Sequence, residues 1–260
     1  MKFLRYSNLD KHICIGMLDD NGKIRKLNYS TIYDAIKNED KIIKDWDGLE
    51  IENQDDVEFL TPVEPSKIVC VGLNYKDHAN ELDMELPKEP LLFMKPSTSV
   101  LPHEGEIIYP KLSNQVDYEA ELGIVILEKI EYENFDEDTL IGYTIVNDVT
   151  ARDLQQKDGQ WTRAKSFDTF CPIGPVLVTN INSTNLKIQL KVNDEVKQNS
   201  NTKNMIFSSK QLLRYVSSIM TLNPGDIIAT GTPPGVGQLN KNDVVSITIE
   251  DIGTLKNIVK

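Results

Sequence analysis

Apolar residues fall in short runs along most of this chain, each run ended by a cluster of turn-forming residues. Runs at 13–17 and 24–27 flank Asp19-Asp20-Asn21-Gly22, and Asn-Gly between two apolar runs predicts a hairpin. Ser30 is placed to cap a short helix through Ile32, Ala35 and Ile36. The stretch 38–56 is charge-rich and has no sustained period, and Pro62 and Pro65 close it. The expected organisation is a small N-terminal α/β domain over residues 1–65 and a larger domain over 66–260.

The larger part begins with a buried strand at 67–72 that delivers the chain into 73–82, a segment predicted to be a short helix capped by Asn74. On such a helix His78 and Glu81 stand three apart on one face and can touch. Further strands are expected at 91–95, at 121–127, at 140–146 after an acidic connection through Asp138, at 186–192, at 244–249 and at 255–259. Residues 151–156 should turn helical, which puts Arg152 and Gln155 three apart. The passage 161–175 is so rich in turn formers that no regular element is expected there. One amphipathic helix stands out, with Leu212, Leu213, Val216, Ile219 and Met220 on one stripe and Ser208 or Ser209 as its cap. Many short strands, regular turns and few helices predict a β-rich α+β fold.

Composition narrows the function. A chain of 260 residues with 40% hydrophobic and 26% charged residues can bury a substantial core. Its net charge of −12 argues against nucleic acid or an anionic membrane surface as partner, since both require a basic face. No apolar run has the length of a signal peptide or a membrane span, so a cytoplasmic protein is expected. Cys14, Cys70 and Cys171 lack Cys-x-x-Cys spacing and read as buried free thiols.

Candidate chemistry gathers at strand ends. In Tyr118-Glu119-Ala120-Glu121-Leu122, residues two apart project from the same face, so Glu119 and Glu121 stand side by side and repel unless a cation lies between them. Asp148 sits at the mouth of the strand at 140–146 and adds a third carboxylate. With no His or Cys at suitable spacing, this is an all-oxygen site that suits Mg²⁺, Mn²⁺ or Ca²⁺, and three protein ligands leave open positions, as in a catalytic metal site. Lys165 would help balance three negative charges and stabilise negative charge developing on a substrate oxygen. Lys95, at a strand end, is either a surface residue or an anion contact. The loop Thr230-Gly-Thr-Pro-Pro-Gly-Val-Gly237 offers main-chain N–H groups to an anion or is a structural turn; it lacks the Gly-Lys-Ser/Thr ending of a nucleotide loop.

Six motifs occur together in this order: Gly72-Leu-Asn-Tyr-x-x-His78, Leu92-Phe-Met-Lys95-Pro-Ser, Tyr118-Glu-Ala-Glu-Leu-Gly123, Asn147-Asp-Val-Thr-Ala-Arg-Asp153, Arg163-Ala-Lys-Ser-Phe167 and Thr230-Gly-Thr-Pro-Pro-Gly235-Val-Gly. As a set they closely resemble the fumarylacetoacetate hydrolase family from about Lys67 onward, and the first part is similar to the small N-terminal domain of many bacterial members. The resemblance implies a mixed β-roll, a homodimer, and one Mg²⁺ or Mn²⁺ per subunit held by Glu119, Glu121 and Asp148. It implies a small 2-oxo acid as substrate, contacted by Lys95, Arg152, Gln155, Lys165, Gly231 and Thr232. By the same resemblance His78 and Glu81 form a dyad on a mobile lid that activates a water.

The chemistry expected from that resemblance is cleavage of the C3–C4 bond of a 2-oxo acid through an enolate. Attack of a water at an acyl C4 makes it acylpyruvate hydrolysis; loss of CO₂ from a C4 carboxylate makes it oxaloacetate decarboxylation. The alternative is a 2-hydroxyhepta-2,4-diene-1,7-dioate isomerase or 5-oxopent-3-ene-1,2,5-tricarboxylate decarboxylase, and a reading from another class is a non-catalytic binder of 2-oxo acids.

Overall fold

A computed structural model describes residues 1–19, 21–81, 83–132, 135–136 and 139–260. Asp20 of the expected first turn, Leu82 at the end of the expected helical segment and Asp138 of the acidic connection lie outside the described residues. The fold is α+β, built on a mixed sheet of twelve strands. Its path runs Ile51–Asn53, Lys23–Leu27, Ile13–Leu18, Lys2–Ser7, Cys171–Val178, Ile141–Asn147, Ala120–Ile126, Ile227–Ala229, Ile68–Gly72 and Leu91–Lys95. Glu58–Phe59 and Val100–Leu101 pair off this path. A five-stranded sheet follows the order Glu195–Asn201, Lys187–Val192, Val244–Ile249, Gly253–Val259, Glu106–Ile107, and a three-stranded one joins Thr150–Ala151, Val116–Tyr118 and Gly237–Leu239.

The central strands read as continuous apolar runs because both of their faces are covered. In Ala120–Ile126 the even positions Leu122, Ile124 and Ile126 pack into one apolar core, and Val125 packs into a second core on the opposite face. Lys2–Ser7 pairs antiparallel with Cys171–Val178 through Lys2 opposite Val178 and Phe3 opposite Leu177. The N-terminal strands therefore extend the same sheet that carries the centre of the molecule.

Several local expectations change. Thr31, not Ser30, caps the helix Ile32–Lys37, its side chain accepting from the Asp34 N–H. Asn74 does not cap the helix Lys76–Glu81. Its buried amide donates to the carbonyls of Phe207 (3.0 Å) and Thr230 (2.7 Å) and accepts from the Phe207 N–H (2.8 Å). The passage expected to be irregular holds a short helix, Thr162–Lys165, and a fully buried strand, Cys171–Val178. Apolar side chains on both faces of that strand outweigh its two prolines, and the pairing with Ile141–Asn147 shifts register beside them. The polar strand Glu195–Asn201 gave no apolar signal and pairs with Lys187–Val192 across Asn193 and Asp194, both at positive φ. Ser208 caps the helix Ser209–Ser217 in a capping box with Gln211, and the buried stripe ends at Val216, leaving Ile219 exposed.

Candidate metal centre and its surroundings

Glu119 sits where the chain leaves the three-stranded sheet for the central one, between the strands Val116–Tyr118 and Ala120–Ile126. Its N–H donates to Asn147 Oδ1 (3.0 Å) and its carbonyl accepts from the Asp148 N–H (2.9 Å), so the two carboxylate-bearing segments are fastened back to back. Ala120 turns its side chain into the core, and Glu119 and Glu121 take the opposite face. Glu119, Glu121 and Asp148 are all buried, and one carboxylate oxygen from each lies within 4.8 Å of the others.

Three cations face this cluster. Lys165 Nζ bridges Glu119 Oε2 (2.9 Å) and Asp148 Oδ2 (2.6 Å) while lying 4.7 Å from the Phe93 ring centroid. Lys95 is 1% exposed, which removes the surface alternative, and its Nζ donates to Asp148 Oδ1 (2.5 Å) and to the Val149 carbonyl (2.9 Å). Arg152 donates through Nη2 to Glu119 Oε1, through Nη1 to Gln155 Oε1 (2.5 Å) and through Nε to Asp117 Oδ2 (2.8 Å). Burial alone would raise Glu119, but the charges of Lys165 and Arg152 override it and hold the carboxyl at about 2. Burial disfavours the charge on Lys165, yet Asp148 and Glu119 raise its pKa above the usual lysine range.

Glu121 differs. Among the described residues it has no lysine or arginine bonded to it, and its Oε2 accepts only the Gly231 N–H (2.8 Å). Burial, with the charges of Asp148 and Glu119 added, pushes it well above the usual carboxylate range. The cluster is short of positive charge at Glu121, and a hard divalent cation among three carboxylates makes good that shortfall. The donor set therefore fits Mg²⁺ or Mn²⁺.

The dyad helix Lys76–Glu81 stands over this floor. His78 Nδ1 lies 2.9 Å from Glu81 Oε2, and the Glu81 carboxylate also accepts the Gly235 N–H (3.2 and 3.4 Å). The glycine-rich loop thus directs main-chain donors at the protein's own carboxylates, Gly231 to Glu121 and Gly235 to Glu81. Both glycines have positive φ, and a Cβ on Gly235 would fall 2.2 Å from the Lys197 carbonyl oxygen.

A cavity of about 350 Å³ joins these parts. Glu119, Glu121, Asp148, Arg152, Gln155, Lys165, Thr232 and His78 line its polar end, and Met84, Pro87, Leu91, Phe93 and Trp161 form an apolar wall. Lys95, Glu81 and Gly231 lie one bond behind that lining, on Asp148, His78 and Glu121 respectively. Asp117 and Gln198 are site-building residues that no sequence motif singled out, and Asn147, the first residue of its motif, builds the site through a contact that the motif does not show. Their partners lie far away in the chain, as with Gln198 and Ala120, and no local spacing signals such a contact. Cys70 and Cys171 are buried free thiols with pKa values raised by burial, that of Cys171 to about 12; Cys14 is half-buried.

Comparison with known proteins bears on this arrangement. Residues 67–260 match the family described as fumarylacetoacetate (FAA) hydrolase C-terminal. An uncharacterised protein of Methanocaldococcus jannaschii is 61% identical over 203 residues, covering 77% of this chain and 86% of its own. The mitochondrial oxaloacetate tautomerase Fahd2a of Rattus norvegicus is 44% identical over 217 residues, covering 78% of this chain and 69% of its own. Among solved structures, a 2-hydroxyhepta-2,4-diene-1,7-dioate isomerase from Mycobacterium marinum superposes with a TM-score of 0.81 at 36% identity, covering 100% of this chain and 98% of that one.

Proposed function

The chain belongs to the fumarylacetoacetate hydrolase family, and on that premise we propose that it is a metal-dependent enzyme interconverting the keto and enol forms of oxaloacetate or a closely related small 2-oxo acid. The observation that carries this reading is one acid–base group, His78, held against Glu81 at the edge of a cavity floored by three carboxylates. A divalent ion bound there supplies polarisation of the 2-oxo group. His78 then takes the C3 proton, with Glu81 on Nδ1 fixing the tautomer that leaves Nε2 as the base. Lys165 and Arg152 offset negative charge as it grows on the substrate oxygen. Returning the proton to oxygen gives the enol, and the reverse path gives the ketone. Tautomerisation asks for no leaving group and no attacking water, so these residues suffice.

The apolar wall of Met84, Pro87, Leu91, Phe93 and Trp161 favours a second reading, hydrolysis of an acylpyruvate whose acyl chain lies against it. There His78 deprotonates a water that adds to C4, and C3–C4 cleavage releases pyruvate and a carboxylic acid. The test follows enol absorbance and pyruvate together, with oxaloacetate or acetylpyruvate, with Mn²⁺ or EDTA. Metal-dependent loss of oxaloacetate enol without pyruvate is the expected result. Pyruvate from acetylpyruvate would move the assignment to the hydrolase, and failure of Mn²⁺ to accelerate either process would overturn both.

A further inference from the structure

Gln198 lies in the strand Glu195–Asn201, fully buried and outside the cavity lining. Its Oε1 accepts the Ala120 N–H (2.9 Å), and its Nε2 donates to Thr232 Oγ1 (2.9 Å) and to the Pro233 carbonyl (2.7 Å). Both amide hydrogens and the carbonyl are therefore engaged, and the flipped amide would oppose donor to donor at Ala120 and acceptor to acceptor at Pro233. Ala120 is the residue between Glu119 and Glu121, and Thr232 lines the cavity with them.

One consequence concerns a single hydrogen. Because Thr232 Oγ1 accepts from Gln198, its own hydrogen points elsewhere, and among the described residues no protein acceptor takes it. The open direction is the cavity. We propose that Gln198 is a positioning residue that fixes the Thr232 hydroxyl as a donor toward the anionic end of the substrate, while holding the peptide that sets Glu119 beside Glu121. This rests on the reading that an anionic 2-oxo acid occupies the cavity. The role needs an amide: a carboxylate at this position would draw the Thr232 hydrogen to itself, and an apolar side chain would leave the hydroxyl free to turn.

The test is calorimetric binding of oxalate, which presents the vicinal oxygens of a 2-oxo acid, to Mn²⁺-loaded protein. Each variant is first titrated with Mn²⁺ alone. Thr232→Val should weaken oxalate roughly tenfold with Mn²⁺ affinity unchanged, as expected for one lost hydrogen bond to a charged group, and Thr232→Ser should bind as the parent does. Gln198→Glu, which keeps an acceptor for Ala120, should show a loss of similar size, and Gln198→Met, whose freed Thr232 hydroxyl can still turn to the ligand, a smaller one. Adding Thr232→Val to Gln198→Glu should cost nothing more, because both changes remove the same bond. Additive losses, parent-like oxalate binding by both Gln198 variants, or a loss confined to Mn²⁺ binding would overturn the inference. Failure of the unaltered Mn²⁺-loaded protein to bind oxalate would overturn the functional reading beneath it and the inference with it.

Discussion

Lys165 is 2% exposed and bonded to two carboxylates, so its charge is balanced by them and not by bulk water. Lys165→Met leaves Glu119 with Arg152 and Asp148 with Lys95, one cation fewer for the same three acids. Stability in EDTA should fall by about 3 kcal/mol, the scale for an uncompensated buried charge. Saturating Mn²⁺ should recover most of that deficit, because the variant's cluster, one cation poorer, binds the divalent ion more tightly than the parent's and gains more from it. Urea unfolding with EDTA and with Mn²⁺ checks this, and equal deficits in both would contradict the charge balance described. The acids were readable in the sequence because each stands near the end of an expected strand within a short motif, and Lys165 because its motif supplies a cation to balance them, although no helix was expected around it. Asp117 was not. Its importance comes from the Arg152 guanidinium, 35 residues later, and only the fold supplies that partner.

The dyad helix is six residues long, too short to be stable by its own hydrogen bonds. It is held at Asp77, whose Oδ2 accepts from Ser200 Oγ (2.9 Å) and Asn204 Nδ2 (3.3 Å), and at Glu81 by Gly235. Asp77→Ala should leave His78 and Glu81 in contact but poorly placed over the cavity. We expect kcat to drop on the order of 10²-fold, the scale for a small misplacement of a reacting group, with calorimetric Mn²⁺ affinity intact. A parallel loss of Mn²⁺ binding would mean that Asp77 supports the floor and not the helix. A helix was expected within 73–82, with His78 and Glu81 in contact on it, and it stands at Lys76–Glu81 with that contact made, but its anchorage was not legible. Asn74 resembled a cap by position, and its side chain was claimed by main-chain groups of Phe207 and Thr230. The strand Glu195–Asn201 is polar because only Gln198 at its centre is fully buried, so apolar alternation had nothing to mark.

At the scale of the molecule, the parallel pair Ile68–Gly72 and Ile227–Ala229 joins parts of the chain about 160 residues apart, and Asp226 fastens its entrance. The carboxylate accepts from Ser66 Oγ (2.6 Å), Lys67 N (3.2 Å) and Asn223 N (2.8 Å), and pairs with Lys67 Nζ. Burial raises its pKa, but Lys67, Ser66 and the Asn223 N–H outweigh that and hold it below the usual range. The unfolded chain therefore binds this proton more readily than the folded one. The stabilisation is complete above the ordinary carboxylate pKa and is lost as pH falls through the lowered folded value. Asp226→Asn should cost roughly 2 kcal/mol near neutral pH, and its gap from the parent should close as pH falls through the acid range. A gap independent of pH, measured by urea unfolding, would exclude the ionised pair as its source.

The sheet as a whole was foreseen as β-rich, but its continuity was not, because nothing local in Lys2–Ser7 names Cys171–Val178 as its neighbour. That seam carries a consequence for ancestry. The family match begins at residue 67, yet a central strand of the matching portion finds its second antiparallel neighbour before that point. A relative built of the shared portion alone would keep Val100–Leu101 against the Cys171–Pro172 end of that strand but leave its Leu177–Val178 end without this partner, a short apolar edge open to another chain.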